Sequence, residues 1–439
     1  MDDYRSSVLA PWAYAGILST NGSLVALAIV CALLTIIVSA LLFNRRPRRS
    51  PAEEVDERLR RRRYPKPTPP PFPNGWIPVM DSTELAVGQV KRLDVFGKQL
   101  SCHTPPPLPF LRASYNPSFP GKTLSPFVPK DGVAHVLDAY CPHLGAHLGV
   151  MGRVVDDCIE CPFHGWKFQG DTGVCTHVPY ASKVPDFVKI KKWTTDEILG
   201  LLFIWYHAES QPPSWYIGDV PEVASIDCSG SLRWRGENHI SCHIQELAEN
   251  AADVAHFDFL HGPSFLATGE HFFEQAEKTV CGSLLRHNWQ TNWEPRDHTA
   301  QVNVVCRTSS PLRWISRVNE YSFTVTQIGP ALVVTTMRTA FGNISYVLSL
   351  TPMKPFHVRA VHRYFPNSRM PRIVFWVIIW ASKGMFARDI FVWNHKSYMK
   401  SPALVKEDRT ILAFRKWFAQ FYSPNSPSWR DVRDKTLQW

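Results

Sequence analysis

Two short motifs, Cys141-Pro-His143 and Cys161-Pro-Phe-His164, constrain this sequence more than any other feature. Each motif supplies one thiol and one imidazole, and only a short stretch of chain separates the two. Zinc fingers and ribbons usually pair cysteine with cysteine and histidine with histidine, so zinc is the weaker interpretation here. The fold must instead bring two loops of mixed ligands together at one metal centre.

Mixed pairs of this kind suit two irons that share two sulfides, with both thiolates on one iron and both imidazoles on the other. Gly145 and Gly165 permit tight turns beside the ligands, and Phe163 and Trp166 are expected to shield the centre from water. The stretch resembles the Rieske [2Fe–2S] motif, C-x-H followed by C-x2-H. Four other residues fall outside the ligand spacing and are interpreted as packing or loop residues: His147, Cys158, Cys175 and His177.

Net charge and cysteine usage exclude two classes of protein. The formal net charge is +10, but much of it comes from arginines clustered at residues 45–49 and 60–63. The rest of the chain is nearly balanced, which argues against a nucleic-acid partner. The 10 cysteines are scattered rather than spaced as a secreted disulfide framework. A reducing compartment is therefore expected.

Residues 24–43 predict a transmembrane helix. The run LVALAIVCALLTIIVSALLF is almost entirely apolar and would span roughly 30 Å as a helix. A signal peptide would have a basic start and a shorter apolar segment, whereas here the arginines follow the run. The positive-inside rule then predicts a single-pass protein with a cytosolic catalytic body, expected at the endoplasmic reticulum.

The remaining chain predicts an α+β protein. Short β-rich runs broken by Gly, Pro and Asp indicate an antiparallel β domain, and later helical and strand patterns indicate an α+β domain with an antiparallel sheet. The predicted divisions are an N-terminal segment (1–44), a basic and proline-rich linker (45–75), an iron–sulfur domain (76–205) with a proline-rich insertion (102–130), and a catalytic domain (206–439).

A second metal site is predicted in ENAADVAHFDFLH, residues 249–261. Asp253 and His256 are three residues apart and would share one face of a helix. His261 is five residues beyond His256, so the two imidazoles converge only if the helix distorts or ends between them. Two histidines and one carboxylate form the facial triad of non-heme Fe(II), which leaves coordination positions open for O2.

The carboxylate of this triad must come from later in the chain. Asp389 is the favoured candidate, at the start of an amphipathic segment, and Glu407 and Asp408 are the rivals. The apolar run IVFWVIIW, residues 373–380, is too short to span a bilayer. It is interpreted as a buried core segment, with a lining of a substrate pocket as the alternative.

The two sites together resemble the catalytic subunit of a Rieske non-heme iron oxygenase, over most of residues 70–425. The resemblance is closer to the cholesterol 7-desaturase (Neverland) branch, in PPPFPNGWIPV, the Rieske loops, CHIQELAENAADVAHFDFLHG and DIFVWNHKSY. It implies that Cys141 and Cys161 hold one cluster iron and that His143 and His164 hold the other. It also implies a mononuclear Fe(2+) on His256, His261 and Asp389.

The resemblance further implies how the protein works. Asp253 would link the two centres by hydrogen bonds to His256 and to a Rieske histidine of a neighbouring subunit in a homotrimer. The expected activity is conversion of cholesterol to 7-dehydrocholesterol, with O2 and electrons that a separate reductase takes from NAD(P)H. The alternatives are a Rieske monooxygenase that hydroxylates a steroid or other lipid, and a non-enzymatic Rieske electron carrier.

The proline-rich insertion departs from the family pattern, in which the flanking strands follow each other almost directly. It contains none of the proposed ligands. We therefore hypothesise that it is a dispensable loop or an aberrant splice product, and that deleting residues 102–129 and joining the ends with a short turn preserves or improves iron loading.

Overall fold

The computed structural model describes residues 68–103, 133–226, 232–263, 272, 286–309 and 320–436. Every strand pairing among these residues is antiparallel. None of the helices in these ranges is both long enough and apolar enough to cross a membrane. The predicted transmembrane helix at residues 24–43 lies outside the described residues.

The N-terminal part of the described chain consists of three small antiparallel sheets. Its strands are β1 Gly75–Asp81, β2 Val90–Val95, β3 Lys98–His103, β4 His135–Asp138, β5 Arg153–Val155, β6 Cys158–Glu160, β7 Lys167–Gln169, β8 Cys175–His177, β9 Lys192–Trp193, β10 Thr195–Ile198 and β11 Leu201–Tyr206. They pair in the orders β1-β11-β10, β2-β3-β4-β9 and β5-β6-β7-β8. The predicted antiparallel β domain is thus present.

The proline-rich insertion connects two strands that are direct neighbours. β3 pairs with β4 from Leu100 opposite Asp138 to His103 opposite His135. Cys102 and His103, which the sequence assigned to the insertion, are instead the last residues of β3 and are fully buried. The predicted boundary at residue 102 was therefore wrong by two residues, because a strand can continue into a stretch whose prolines begin later.

Replacing residues 104–132 with Asn-Gly should leave the cluster domain intact. The ends to be joined already face each other across the β3–β4 ladder, and Val133 and Ala134 would complete a four-residue hairpin connection. We expect wild-type cluster absorbance and an unfolding midpoint at or above that of the wild type, because the shorter connection costs less entropy to close. The matched control is the deletion of residues 102–129. It also removes the buried Cys102 and His103, so it should lower the unfolding midpoint.

The C-terminal part is built on a seven-stranded sheet in the order β12-β18-β17-β16-β15-β14-β13. The strands are β12 Trp234–Ile240, β13 Arg286–Arg296, β14 Thr299–Ser309, β15 Glu320–Ile328, β16 Leu332–Thr339, β17 Gly342–Lys354 and β18 His357–Pro366. The helices are α1 Pro221–Ala224, α2 Ile244–Glu249, α3 Val254–Leu260, α4 Arg372–His395, α5 Arg409–Phe418 and α6 Trp429–Thr436. This is the predicted α+β domain with an antiparallel sheet.

Helices cover one face of the large sheet. At one end, Phe414 and Phe418 of α5 pack with Trp293 and Val302. At the other end, Phe375 and Ile379 of α4 form a buried cluster with sheet residues. Residues paired directly across neighbouring strands point to the same side, so this face can be followed along the sheet from strand to strand. We call it the inner face.

The two parts of the body are joined by apolar packing and buried charge. Ile77 and Val79 of β1 belong to the same buried cluster as Val358 and Ala360 of β18. Asp81, at the end of β1, forms an ion pair of 2.5 Å with Arg235 of β12, and a second at 3.3 Å with Arg363 of β18. A buried carboxylate between two arginines fixes the approach of the strands more strictly than apolar contact does.

The structure corrects two interpretations that were made from the sequence. The residues before β1 pack on the body rather than forming only a linker, since Phe72 is buried against Phe96. The run at residues 373–380 lies in the first half of α4, and it is not uniformly buried. Ile373 is 60% exposed and Trp376 52% exposed. An uninterrupted apolar run therefore does not reveal which of its side chains face solvent.

Candidate metal centres

The two Rieske motifs form loops of the same design. In the first, the amide of Gly145 donates to the carbonyl of Cys141 at 2.9 Å, and in the second Gly165 donates to Cys161 at 3.1 Å. Both glycines have φ near +70°, a conformation that other residues rarely adopt. Each cysteine thus begins a tight turn, and the two cysteines lie in one buried cluster.

The buried cysteines favour a bound cation. Cys141 and Cys161 are in one core cluster, and burial raises the pKa of the Cys141 thiol to about 11, with a further contribution from Cys161. Thiolate ligands in such surroundings need a positive charge to balance them, and metal binding releases their protons. The donor set of two thiols and two imidazoles fits a Rieske cluster.

The two Rieske imidazoles lie together at the edge of this domain. The rings of His143 and His164 are 4.7 Å apart, and Trp166 stacks on His143 at 4.6 Å. The buried Nδ1 of His143 has no hydrogen-bond partner among the described residues, which leaves it available as a ligand. Phe163 does not shield the centre as expected, because its side chain is 61% exposed.

The other cysteines and histidines of this region have structural surroundings. Nδ1 of His147 accepts from the amide of Gly149 at 3.0 Å. Cys158 lies in β6 with its thiol next to Asp157 and Thr176. Cys175 packs in the core with the ligand cysteines, and His177 is exposed. These contacts agree with their interpretation as packing and loop residues.

The second site is built on α3 and the residue that follows it. α3 ends at Leu260, and His261 is its C-terminal cap, so the chain turns between the two histidines as the spacing requires. The rings of His256 and His261 are 5.1 Å apart and nearly perpendicular. Nδ1 of His256 bonds to the backbone carbonyl of Asp253, which leaves Nε2 for a metal.

Asp253 precedes the helix that carries His256 rather than lying within it. It is the N-cap of α3, and its Oδ1 accepts from the backbone amide of His256 at 3.2 Å. The sequence analysis predicted that the Asp253 carboxylate bonds to the imidazole of His256. In the structure the backbone carbonyl of Asp253 bonds to that imidazole instead. The carboxylate is therefore used first for capping, which is a common role of Asp at this position.

Asp389 completes a three-residue group. Ligand atoms of His256, His261 and Asp389 all lie within 4.8 Å of one another, and Oδ1 of Asp389 is 3.1 Å from Nε2 of His261. Two atoms bound at right angles to one ion, each at ~2.1 Å, would be ~3 Å apart. Buried atoms of all three residues lack hydrogen-bond partners among the described residues. The group fits a facial triad.

The surroundings of His256 favour its neutral form. Burial lowers the pKa of His256, and the neighbouring His261 lowers it further, against the opposing effect of Asp389. A neutral imidazole is the form that binds a metal.

The rival carboxylates are elsewhere: Glu407 is exposed, and Asp408 accepts from the amide of Val405 at 3.0 Å.

Arg388 is a residue of this site that the sequence analysis missed. Its side chain is buried and donates to the carbonyls of Leu260 and Pro263, at 2.8 and 3.2 Å. These carbonyls flank His261, so Arg388 holds the end of α3 against α4 and sets the position of Asp389. The available signal was the adjacent charged pair Arg388 and Asp389 in a largely apolar helical stretch.

Two family profiles match the chain in the order that the structure shows. Residues 75–188 match the Rieske [2Fe-2S] domain, and residues 204–422 match the 3-ketosteroid 9alpha-hydroxylase C-terminal domain. Among solved structures, dicamba monooxygenase bound to dicamba aligns with a TM-score of 0.57 at 15% identity, over 83% of this chain and 98% of that one. The Pseudomonas putida NdmA QL mutant with caffeine aligns with a TM-score of 0.51 at 17% identity, over 83% and 91%. These two likenesses concern the fold alone.

Relatives found by sequence have considerably higher sequence identity to this chain than these solved structures do. The cholesterol 7-desaturase nvd of Xenopus laevis is 36% identical over 84% of this chain and 76% of its own length. That of Drosophila melanogaster is 36% identical over 82% and 77%. A probable 3-ketosteroid-9-alpha-monooxygenase oxygenase component of Rhodococcus rhodochrous is 28% identical over 69% and 74%.

The paired loops, the triad and the matching profiles define a Rieske non-heme iron oxygenase, an oxidoreductase that holds a [2Fe–2S] cluster and a mononuclear iron and uses O2 with NAD(P)H-derived electrons. Within this class the chain belongs to the cholesterol 7-desaturase family.

Proposed function

We propose that this protein desaturates cholesterol at C7 and C8 to give 7-dehydrocholesterol. The observation that carries the proposal is the convergence of His256, His261 and Asp389 in a chain that also forms both Rieske loops. Similarity to cholesterol 7-desaturases over most of the chain supports the choice of substrate. Ferrous iron on two imidazoles and one carboxylate keeps positions open for O2.

The electron balance requires an outside donor. Loss of two hydrogens from the sterol supplies two of the four electrons that reduce O2 to water, and the other two come from NAD(P)H through a separate reductase. The residues of this chain hold and orient the two centres. His256 is fixed by the carbonyl of Asp253, and Arg388 aligns α4 so that Asp389 faces His261.

Incubation of the purified protein with cholesterol, a reductase, NAD(P)H and O2 tests the function. Desaturation gives a conjugated diene, which absorbs in the ultraviolet and is lighter than cholesterol by two hydrogens. Hydroxylation gives a product heavier by one oxygen and without the diene. That outcome would favour the steroid hydroxylase alternative, which the 3-ketosteroid 9alpha-hydroxylase profile supports.

Iron counting separates both enzymes from a simple electron carrier. A carrier would hold about two irons per chain, whereas an oxygenase holds about three. Because His256, His261 and Asp389 converge, and each has a buried atom with no hydrogen-bond partner in the part of the chain that the structure describes, we expect the higher value.

We also propose that the protein acts as a homotrimer anchored in the endoplasmic reticulum membrane by residues 24–43, with its catalytic body in the cytosol. Exposed apolar side chains beside the Rieske histidines, Leu144 and Phe163, support subunit contact, since a neighbouring chain would cover them. Light scattering in detergent measures the number of chains, and protease protection of microsomes measures the orientation.

A further inference from the structure

A buried polar pair lies on the inner face of the large sheet, apart from the proposed metal ligands. Tyr346 of β17 and His362 of β18 are joined by a hydrogen bond of 2.8 Å between the phenol oxygen and Nδ1. Tyr364 is directly opposite Tyr346, with ring centroids 4.5 Å apart. The direct pairings Tyr346–Tyr364 and Leu348–His362 place all of these side chains on one face.

The other ring nitrogen of His362 is unsatisfied. His362 is only 4% exposed, and its Nε2 has no hydrogen-bond partner among the described residues. Burial lowers the pKa of His362 to about 4, so the ring is neutral at physiological pH. A buried polar atom without a partner is rare in folded proteins and indicates a missing water or ligand.

The pair lies next to the metal triad. The ring of Phe386 contacts that of His362 edge-on at 4.4 Å. Phe386 precedes Asp389 by three residues on α4, so the two side chains lie on the same side of the helix, one turn apart. The pKa of Tyr346 is raised by burial, and the charge of Asp389 contributes to this rise. His362 therefore packs against the turn of α4 that precedes Asp389.

A sterol has one polar group, the ring hydroxyl, at the end of a rigid apolar skeleton. A hydroxyl both donates and accepts, so it can satisfy Nε2 of His362 whichever nitrogen of the ring carries the proton. We propose that His362 binds the sterol hydroxyl through Nε2 and thereby selects which carbons lie at the metal triad. Tyr346 holds the imidazole in place. This inference rests on the proposed function and names the residue that recognises the substrate.

The experiment compares cholesterol with cholest-5-ene, which has the same carbon skeleton without the hydroxyl. We expect the wild-type protein to prefer cholesterol by roughly 10²-fold in kcat/KM, because the analogue would leave the buried Nε2 of His362 without a partner. His362→Leu should bring this preference close to one, mainly by raising KM for cholesterol. Equilibrium binding of the two labelled sterols to the holoprotein should show the same loss of preference.

Thr335→Val is the matched control. Thr335 is a buried residue directly opposite Tyr346 on the same face, and its replacement by the isosteric valine removes a hydroxyl without affecting His362. It should keep the wild-type preference and iron content. Tyr346→Phe leaves His362 in place but removes its orienting bond, so an intermediate preference is expected. This variant tests the same pair if His362→Leu does not fold.

The possible results distinguish a failure of this inference from a failure of the proposed function. If the wild-type protein forms the diene but treats both sterols alike, or if His362→Leu keeps the preference for cholesterol, His362 does not recognise the hydroxyl. If no diene forms from cholesterol, the proposed function fails. In that case the ratio of the binding affinities for the two sterols still decides whether His362 recognises the hydroxyl.

Discussion

Replacing Asp389 with alanine is expected to abolish sterol oxidation and to lower bound iron from about three to about two per chain. Asp389 supplies the only carboxylate of the triad, and its neighbours in that group are two imidazoles. Loss of a residue that merely supports a metal ligand typically costs 10–100-fold in metal affinity or activity, so loss of the ligand itself should cost at least ~10²-fold. The Rieske absorbance should remain, because its ligands are on other loops.

Two further variants make the Asp389 result specific. Asp389→Asn keeps the shape of the side chain but removes its charge, and it should lose most of the mononuclear iron. Asp408→Ala removes the rival carboxylate, whose observed partner is the backbone amide of Val405, and should retain wild-type iron content. Iron content would be measured by mass spectrometry alongside cluster absorbance. Normal iron and turnover in Asp389→Ala would rule Asp389 out as a ligand.

Replacement of Asp253 is expected to separate electron transfer from metal binding. Both Asp253→Asn and Asp253→Ala should keep the cluster and the mononuclear iron, yet turn over roughly 10²-fold more slowly, a loss of the size seen when groups supporting a metal site are removed. Asparagine still caps a helix, whereas alanine at this position costs about 1 kcal/mol. Only the alanine variant should therefore lower the free energy of unfolding measurably.

The measurement for Asp253 is the rate at which the reduced cluster is reoxidised in a single turnover with O2 and sterol, followed by its visible absorbance. Slow reoxidation in both variants, with a stability loss in the alanine variant alone, is the expected pattern. A wild-type rate in Asp253→Asn would show that the carboxylate serves only the cap of α3 that the structure shows.

The sequence was most informative where chemistry and local structure coincide. The Rieske motifs could be recognised because ligand, spacer and glycine lie within a few residues, so the turn geometry is encoded locally. His256 and His261 could be paired for the same reason, and the helix does end between them as their spacing required. Both predicted antiparallel domains are also present.

The features that the sequence analysis did not predict depend on contacts between distant parts of the chain. Arg388 acts on carbonyls more than 120 residues earlier in the chain, and no local pattern reports such a contact. Asp389 was expected at the start of a helix, but α4 begins at Arg372 and includes the preceding apolar run. The exposure of Phe163 likewise depends on what packs beside it, which a motif does not contain.

The direct pairing of His103 with His135 has a consequence for the family's history. The entropic cost of closing a loop grows only with the logarithm of its length, so lengthening a four-residue connection about eightfold costs only ~2 kcal/mol. The tip of this hairpin is therefore a place where lineages can gain or lose coding sequence with little selective penalty. The same tolerance makes it a suitable position for inserting an epitope or a fluorescent reporter.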